Sequence, residues 1–448
     1  LNDMFRHDMG VETYVPVPEY YAGKSVFITG GSGYLGKVLL EKLLYSCPEV
    51  NQVFVLLRDK KNVDAEQRLQ KIINLPMFSR LRKERPEDFK KVVLLKGDIS
   101  AQNLNMQNED LEAVIEKVSV VIHTAATIKF NDSLKAALRA NVEGTRNVLN
   151  LCHLMKNLRV FVHVSTAYCN TDQVIIEERV YPPPVTIEEA YTFAEDESNN
   201  ARIAQFLSKP NTYTFTKALA EHLVSETHGD IPVVIVRPSI VTPSKEEPVK
   251  GWVDNWFGAT GLVSAIAKGV CRVMYGSNDN IIDLIPVDYV CNLTLVAATR
   301  AEQQSEVVVY NSCSGSTNPI TIKQASDLYC KAGVKDNFSK FLPYCTHGSF
   351  GSLVRKSSAF QSGTHFCLSF YKTYTKLISQ TYMVRDALEY FTYGSWDMKT
   401  ERSEALFKTM SPTDARLFPF LARDINWNEY FTIYFQGVKK YLIENKQA

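Results

Sequence analysis

Ser25-Val26-Phe27-Ile28-Thr29-Gly30-Gly31-Ser32-Gly33-Tyr34-Leu35-Gly36 is a run of β-formers that ends in a glycine cluster. An apolar pattern of helical spacing, Leu35, Val38, Leu39 and Leu43, begins at once. Strand, glycine turn and helix in that order is the setting in which a glycine pattern points to a dinucleotide site. One glycine makes the tight turn, one lets backbone approach a pyrophosphate, and one lets the helix lie close against the strand. The helix N-terminus then offers unpaired N–H groups and the positive end of its dipole to phosphates. Thr29, Gly30, Gly31, Ser32, Gly33, Tyr34, Leu35 and Gly36 are therefore candidate cofactor contacts. Two registers fit, Gly31-x-Gly33-x-x-Gly36 and Gly30-x-x-Gly33-x-x-Gly36, and both stay open. A plain βα turn has the same pattern, so the rest of the chain has to decide.

From Ser25 to about residue 240, β-type runs alternate with helical patterns. The runs are Ser25–Thr29, Val53–Leu57, Val92–Leu95, Val118–His123, Val160–Ser165 and Val233–Arg237. Several are continuous apolar strings, as strands covered on both faces should be. This alternation predicts an α/β fold with a doubly wound parallel sheet of the Rossmann type.

At 448 residues the chain exceeds a single core, so further substrate-binding and C-terminal parts are expected. A net charge of +1 gives no support to a nucleic-acid partner. Nine cysteines without a Cys-x-x-Cys pair suggest neither a zinc site nor a disulfide framework, and point to a reducing, intracellular setting. No stretch approaches the roughly twenty apolar residues of a membrane span. Residues 1–20 lack periodicity and are expected to form a leader.

The second strand ends Leu57-Arg58-Asp59-Lys60-Lys61. An NAD site usually has an acid here, bonded to the ribose 2′-OH. The planar Arg58 guanidinium suits a 2′-phosphate instead, which favours NADPH, although Asp59 is placed to act as the acid. Gly97-Asp98-Ile99 and His123-Thr124-Ala125-Ala126-Thr127 follow the third and fourth strands, where strand ends face a cofactor. Asp98 is either an acceptor for adenine or a turn cap, and Ala125 and Ala126 are small enough for backbone to approach the ribose. His123 reads as a satisfied strand-end histidine. A helix predicted from Ser133 to about Cys152 contains Asn141 and Gly144, residues unfavourable there by roughly 0.7 and 1 kcal/mol relative to alanine. They need a packing or functional reason, such as a relay near the site.

The reacting groups come from two segments. The fifth strand ends Ser165-Thr166, and Tyr213 and Lys217 lie at i and i+4 of a helical pattern, on one face. An ammonium beside the phenol is expected to lower its pKa from about 10, so that Tyr213 gives a proton to an oxygen gaining negative charge. A hydroxyl from Ser165 or Thr166 would hold the same oxygen.

Thr29–Gly36, Asn141–Thr145 and Tyr213-x-x-x-Lys217 resemble an extended short-chain dehydrogenase/reductase. Val162–Asn170, Pro210–Glu221, Val236–Ile240, Gly251–Asn255, Gly258–Leu262 and Ile285–Asp288 narrow the resemblance to the alcohol-forming fatty acyl-CoA reductases of eukaryotes, in a form like the insect members. The similarity runs from about Lys24 nearly to the end. It implies reduction of a long-chain fatty acyl-CoA through the aldehyde to the alcohol, with two NADPH consumed and CoA released. It also implies Tyr213 as the acid, Lys217 as its partner, Thr166 or Ser165 as the second hydroxyl, and Arg237-Pro238-Ser239-Ile240 as the segment over the nicotinamide. A cytosolic position, or one on the cytosolic face of the endoplasmic reticulum, peroxisome or lipid droplet, goes with that activity. A sugar-nucleotide or steroid dehydrogenase on the same fold and a silent NADP-binding scaffold are the competing readings; the intact Tyr213 and Lys217 argue against the scaffold.

The expected division is a reductase body at 21–345, a connecting amphipathic segment at 346–385 and a helical C-terminal domain at 386–448. An insertion between Asn170 and Asn211, with Glu195-Asp196-Glu197, either borders the substrate entrance or is a surface loop. Trp252, Trp256, Phe257, Leu262 and Val263 are either core or the lining of an acyl tunnel. Phe370, Tyr371, Tyr374, Leu377 and Ile378 follow helical spacing, and a peripheral position at a membrane and a docked amphipathic helix are both open for them. Trp427, Tyr430, Phe431, Tyr434, Phe435, Val438, Tyr441 and Leu442 form one helical apolar stripe, expected to pack on the body.

Overall fold

The computed structural model describes residues 14–60, 63–130, 132–195, 209–256, 258–267, 276–302, 306–336, 386 and 388–444. Its centre is a seven-stranded parallel sheet in the order β10-β7-β5-β4-β1-β2-β3. These strands are β1 (Ser25–Thr29), β2 (Gln52–Leu57), β3 (Val92–Lys96), β4 (Val118–His123), β5 (Val160–Val164), β7 (Val233–Pro238) and β10 (Val308–Ser312). Two small parallel pairs flank it: β6 (Ile175–Ile176) with β11 (Asp397–Met398), and β8 (Ile240–Thr242) with β9 (Leu284–Pro286). The order reverses between β1 and β4, and the crevice at the C-terminal ends of those strands is where such sheets take ligands. Strands β1, β4, β5 and β7 are buried along their whole length, which is why they read as unbroken apolar strings.

Three departures from the sequence expectations have clear causes. The expected leader is partly structured: Val17–Tyr21 is a helix whose Val17 and Tyr21 are fully buried. The Val17 N–H donates to Asp414 at 2.9 Å and the Tyr21 hydroxyl to the Leu295 carbonyl at 2.9 Å, partners too distant in sequence to be foreseen. The edge strand β10 lies beyond the alternating region, after the helix Val287–Ala298. The predicted long helix is three pieces, Leu134–Leu138, a π-helical turn Arg139–Glu143 and Gly144–Cys152, with Asn141 inside the π turn.

The C-terminal stripe packs as expected. On the helix Trp427–Val438 and the turn after it, Tyr430, Phe431, Tyr434, Phe435, Val438, Tyr441 and Leu442 are all buried. They join the same apolar core as the helices over the sheet. The closest approach is backbone on backbone. A Cβ on Gly437 would sit 1.9 Å from the Gly251 carbonyl oxygen, and Gly251 itself has φ +72°. Among the described residues no helix is long and apolar enough to cross a membrane. The segment 346–385, with Phe370 through Ile378, lies outside the described residues, as do Phe257, Asp196 and Glu197.

Candidate active site

The glycine turn is fixed by steric exclusion. Gly30 has φ +75°, and a Cβ there would meet the Thr124 hydroxyl at 2.5 Å and the Ala125 nitrogen at 2.7 Å. A Cβ on Gly36 would lie 2.3 Å from the Gly30 carbonyl oxygen, and one on Gly31 2.3 Å from Val55 Cγ1. The positive φ falls on Gly30, so the wider-spaced register begins the turn. Gly33 caps the helix Tyr34–Ser46 without a side-chain cap bond, leaving its first-turn N–H groups aimed at the crevice. The cradle therefore fits a pyrophosphate, by both its bare backbone and its helix end. Tyr34 is spent on structure: its hydroxyl donates to the carbonyls of Trp252 at 2.8 Å and Thr242 at 3.2 Å.

At the end of β2, Asp59 is withdrawn from the ribose position. Its carboxylate accepts the Ala65 N–H at 2.8 Å, next to the start of the helix Ala65–Ile73. Arg58 is largely exposed and pairs with Asp98 at 3.3 Å. Burial works against ionisation of Asp98, but bonds from Ser100 and the Arg58 charge outweigh it and hold the carboxyl below its ordinary value. Asp98 thus serves as the cap of the Ser100 turn while its other oxygen meets Arg58. A residue missed in the sequence completes this corner. Arg68 reaches back from its helix to the Ser32 hydroxyl at 2.8 Å and to the Arg58 carbonyl. Only a fold that lays that helix beside the turn reveals it, because a spacing of ten residues from Arg58 carries no signal.

Behind the cofactor crevice runs a buried polar chain. The Thr29 hydroxyl meets His123 Nδ1 at 2.7 Å, and His123 Nε2 meets the Thr145 hydroxyl at 3.1 Å, which in turn donates to the Asn141 carbonyl at 2.7 Å. Burial, and then the Lys217 charge, push the His123 pKa down to about 3, so the ring is neutral. The Asn141 side chain accepts from Thr127 N at 2.8 Å and donates to the Thr127 carbonyl at 3.1 Å and the Thr216 hydroxyl at 2.9 Å. Asn141 thereby ties the loop after β4 to the helix that carries Tyr213. Gly144 has a packing reason: a Cβ there would meet Ile99 Cδ1 at 2.7 Å.

The helix Thr212–Thr227, capped by Asn211, carries Tyr213 and Lys217 one turn apart, with Lys217 at the end of β5 and Tyr213 against Phe130 of the loop after β4. The hydroxyls of Ser165 and Thr166 face different ways. The Thr166 hydroxyl lies near enough to the Tyr213 phenol to act against the rise in its pKa, and it accepts from Tyr168 N at 3.3 Å. The Ser165 hydroxyl meets the Cys169 sulfur at 3.8 Å and helps hold the Glu221 carboxyl below its ordinary value. The Lys217 ammonium donates to the Val164 carbonyl at 2.7 Å. Desolvation, only partly offset by Glu221 and Cys169, brings the Lys217 pKa down to about 8. The expectation that Lys217 would pull the phenol below 10 is corrected: burial and then Cys169 raise the Tyr213 pKa, and only the Thr166 bond opposes them. Tyr213 is half-buried.

One pairing was not foreseen. Glu221, one turn beyond Lys217, takes two bonds from Arg237, 2.8 Å from Nε and 2.6 Å from an Nη, both partners being almost wholly buried. Arg237 also donates to the carbonyls of Glu177 and Arg179, so its charge is fully engaged. Pro238, Ser239 and Ile240 continue β7 into β8; the Pro238 carbonyl lies 3.5 Å from the Thr166 hydroxyl, and Ser239 N donates to Ser312 at 3.0 Å. Trp252 is core rather than tunnel, 2% exposed and 4.9 Å from the Tyr441 ring.

Two family models, both described as male sterility protein, match residues 28–294 and residues 360–445. Fatty acyl-CoA reductase 1 of Xenopus laevis is 37% identical over 449 residues, covering 96% of this chain and 87% of that protein. The human protein of that name is 36% identical over 451 residues, with 97% and 87% covered. Fatty acyl-CoA reductase 2 of Mus musculus is 32% identical over 460 residues, with 96% and 87% covered. Among solved structures, the reductase domain of a nonribosomal peptide synthetase from Mycobacterium tuberculosis shares the fold with a TM-score of 0.63, at 17% identity, 96% of this chain and 94% of that one being covered.

Proposed function

This chain is a member of the fatty acyl-CoA reductase family, and from that premise we propose that it reduces a long-chain fatty acyl-CoA through the aldehyde to the fatty alcohol, releasing CoA, with NADPH as donor. The observation that carries the reading is the hydroxyl pair of Tyr213 and Thr166, with the Lys217 ammonium close by on the Val164 carbonyl. A bound nicotinamide dinucleotide supplies hydride. The chain's own residues handle the charge that follows.

Reduction of a thioester or aldehyde carbonyl puts negative charge on its oxygen. Thr166 and Tyr213 are two donors that can converge on that oxygen. A phenol raised above its ordinary value stays protonated at neutral pH, and it gives its proton only to a stronger base such as an alkoxide. That suits an acid in the reducing direction. Lys217, charged below about pH 8, stands one helical turn from Tyr213. The preference for NADPH rests on Arg58 and Arg68 beside Ser32, and on Asp59 being engaged with Ala65. The reductase body at 21–345, the connecting segment at 346–385 and the C-terminal part at 386–448 belong to the same reading. A peripheral place on the cytosolic face of a membrane, where acyl-CoA and fatty alcohols partition, fits it as well.

The test is incubation with acyl-CoAs of several chain lengths and either NADPH or NADH, with product identification. Fatty alcohol, free CoA and two NADPH consumed per alcohol are expected, with NADH slower by about tenfold or more. Untouched acyl-CoA would overturn the reaction, and a clear preference for NADH would overturn the roles of Arg58 and Arg68.

A further inference from the structure

The C-terminal part reaches the reacting centre. Phe130, on the loop after β4, stacks on Tyr213 with ring centroids 6.1 Å apart. Phe391, from the chain just before β11, packs on Phe130 at 5.7 Å and edge-on against Tyr168 at 5.1 Å. Tyr168 is the residue whose N–H donates to the Thr166 hydroxyl. So a residue almost 180 positions after Tyr213 stands one ring away from it and one residue's contact away from its hydroxyl partner.

The segment carrying Phe391 is clamped at both ends. On one side the Thr171 carbonyl accepts from Trp396 Nε1 at 3.0 Å and from the Tyr390 hydroxyl at 3.2 Å, and β11 then pairs with β6. On the other side the Asn280 amide donates to the carbonyls of Thr392 at 3.0 Å and Tyr393 at 2.8 Å. Gly276 lets that backbone come close, since a Cβ there would lie 2.5 Å from the Thr392 carbonyl oxygen. The Phe130 backbone is tethered in turn, its carbonyl 3.4 Å from the Thr212 hydroxyl. A wall held in this way keeps its shape when a ligand presses on it.

Both residues are only partly buried. Tyr213, Phe130 and Phe391 form a continuous run of rings leading away from the phenol. An aromatic wall favours methylenes, whereas the phosphates and amides of CoA would lose hydration there. We infer that Phe391, with Phe130, is a specificity-determining wall for the acyl chain, and that the C-terminal part thereby completes the substrate site of the reductase body. This rests on the proposed acyl-CoA reduction and adds which part of the chain selects the acyl group.

The experiment measures kcat/KM across saturated acyl-CoAs from C12 to C22 (probe lengths chosen for the test) for the full chain and for Phe391→Ala, Phe391→Leu and Phe391→Trp. NADPH affinity is read by fluorescence titration in parallel. Phe391→Ala should move the preferred length upward, the ratio of long to short substrates rising by about fourfold for each further methylene accommodated. Phe391→Trp should move it downward, and NADPH affinity should stay unchanged in both. If Phe391→Ala does not fold, the Leu and Trp variants decide by the same shift in opposite directions. Profiles that scale uniformly without a change of preferred length would overturn this inference alone. A wild-type chain that consumes no acyl-CoA would overturn the proposed function and this inference with it.

Discussion

The glycine turn and the reacting centre share one end of the sheet and are built in opposite ways. The turn's glycines are neighbours in sequence: a Cβ on Gly36 would strike the Gly30 oxygen, while those on Gly31 and Gly30 would strike Val55 and Thr124 on the adjoining strands' side. The reacting centre draws Phe130, Thr166, Tyr213, Glu221, Arg237 and Phe391 from five separate stretches, held by buried hydrogen bonds and ring contacts. A phosphate cradle needs only bare backbone and a helix end, which a short segment can supply. Acid–base chemistry needs shifted pKa values, and burial by distant elements supplies those.

Variants can separate the two regions. The largest effect belongs to the reacting centre: Tyr213→Phe should lower kcat by about 10²- to 10⁴-fold and leave NADPH affinity intact. Comparable activity in that variant would remove Tyr213 from the mechanism. Next comes the turn, where Gly36→Ala puts a methyl 2.3 Å from the Gly30 oxygen and must move backbone. NADPH affinity should fall by about a hundredfold, at a stability cost of about 1–3 kcal/mol seen as a lower Tm. Wild-type affinity there would mean that the turn does not hold the cofactor.

Smaller effects test the seams. Arg68→Ala should weaken NADPH by about tenfold while leaving NADH nearly unchanged, the loss of one charge-assisted contact. Equal loss for both dinucleotides would assign Arg68 to turn structure instead. The smallest effect is in pH. Because the Lys217 pKa is lowered to about 8, its ammonium is present below that pH and lost above it. The rate kcat/KM should therefore be about halved near pH 8 and fall further as pH rises, whereas Lys217→Arg, slower overall, should lack that limb. A flat wild-type profile to pH 10 would show that the charge on Lys217 is not needed.

Much of this was legible in residues alone. The strands showed themselves as apolar runs because both faces of a parallel sheet are covered, and the C-terminal stripe because a one-sided helix repeats its apolar positions. Asn141 and Gly144 announced that something opposes them, but not what. The answers, a bond pair to Thr127 with a third bond to Thr216, and the Ile99 side chain, lie across space. Arg68, Phe391 and the partner of Glu221 carried no local signal. Each is ordinary for its helix or loop, and acquires meaning only from the neighbour that the fold brings to it.

By itself, the order of residues determined six of the sheet's seven strands, the glycine turn and the placing of Tyr213 and Lys217 on one helix face, since these depend on periodicity and on short fixed spacings. Tertiary structure decided the rest. It turned Thr166 rather than Ser165 to the phenol, raised that phenol by burial against the expected pull of Lys217, and took Asp59 away from the ribose. It also set a C-terminal phenylalanine beside the reacting centre. The reason is physical: spacing fixes which side chains share a helix face, whereas desolvation and close packing belong to whatever atoms surround them in the folded chain.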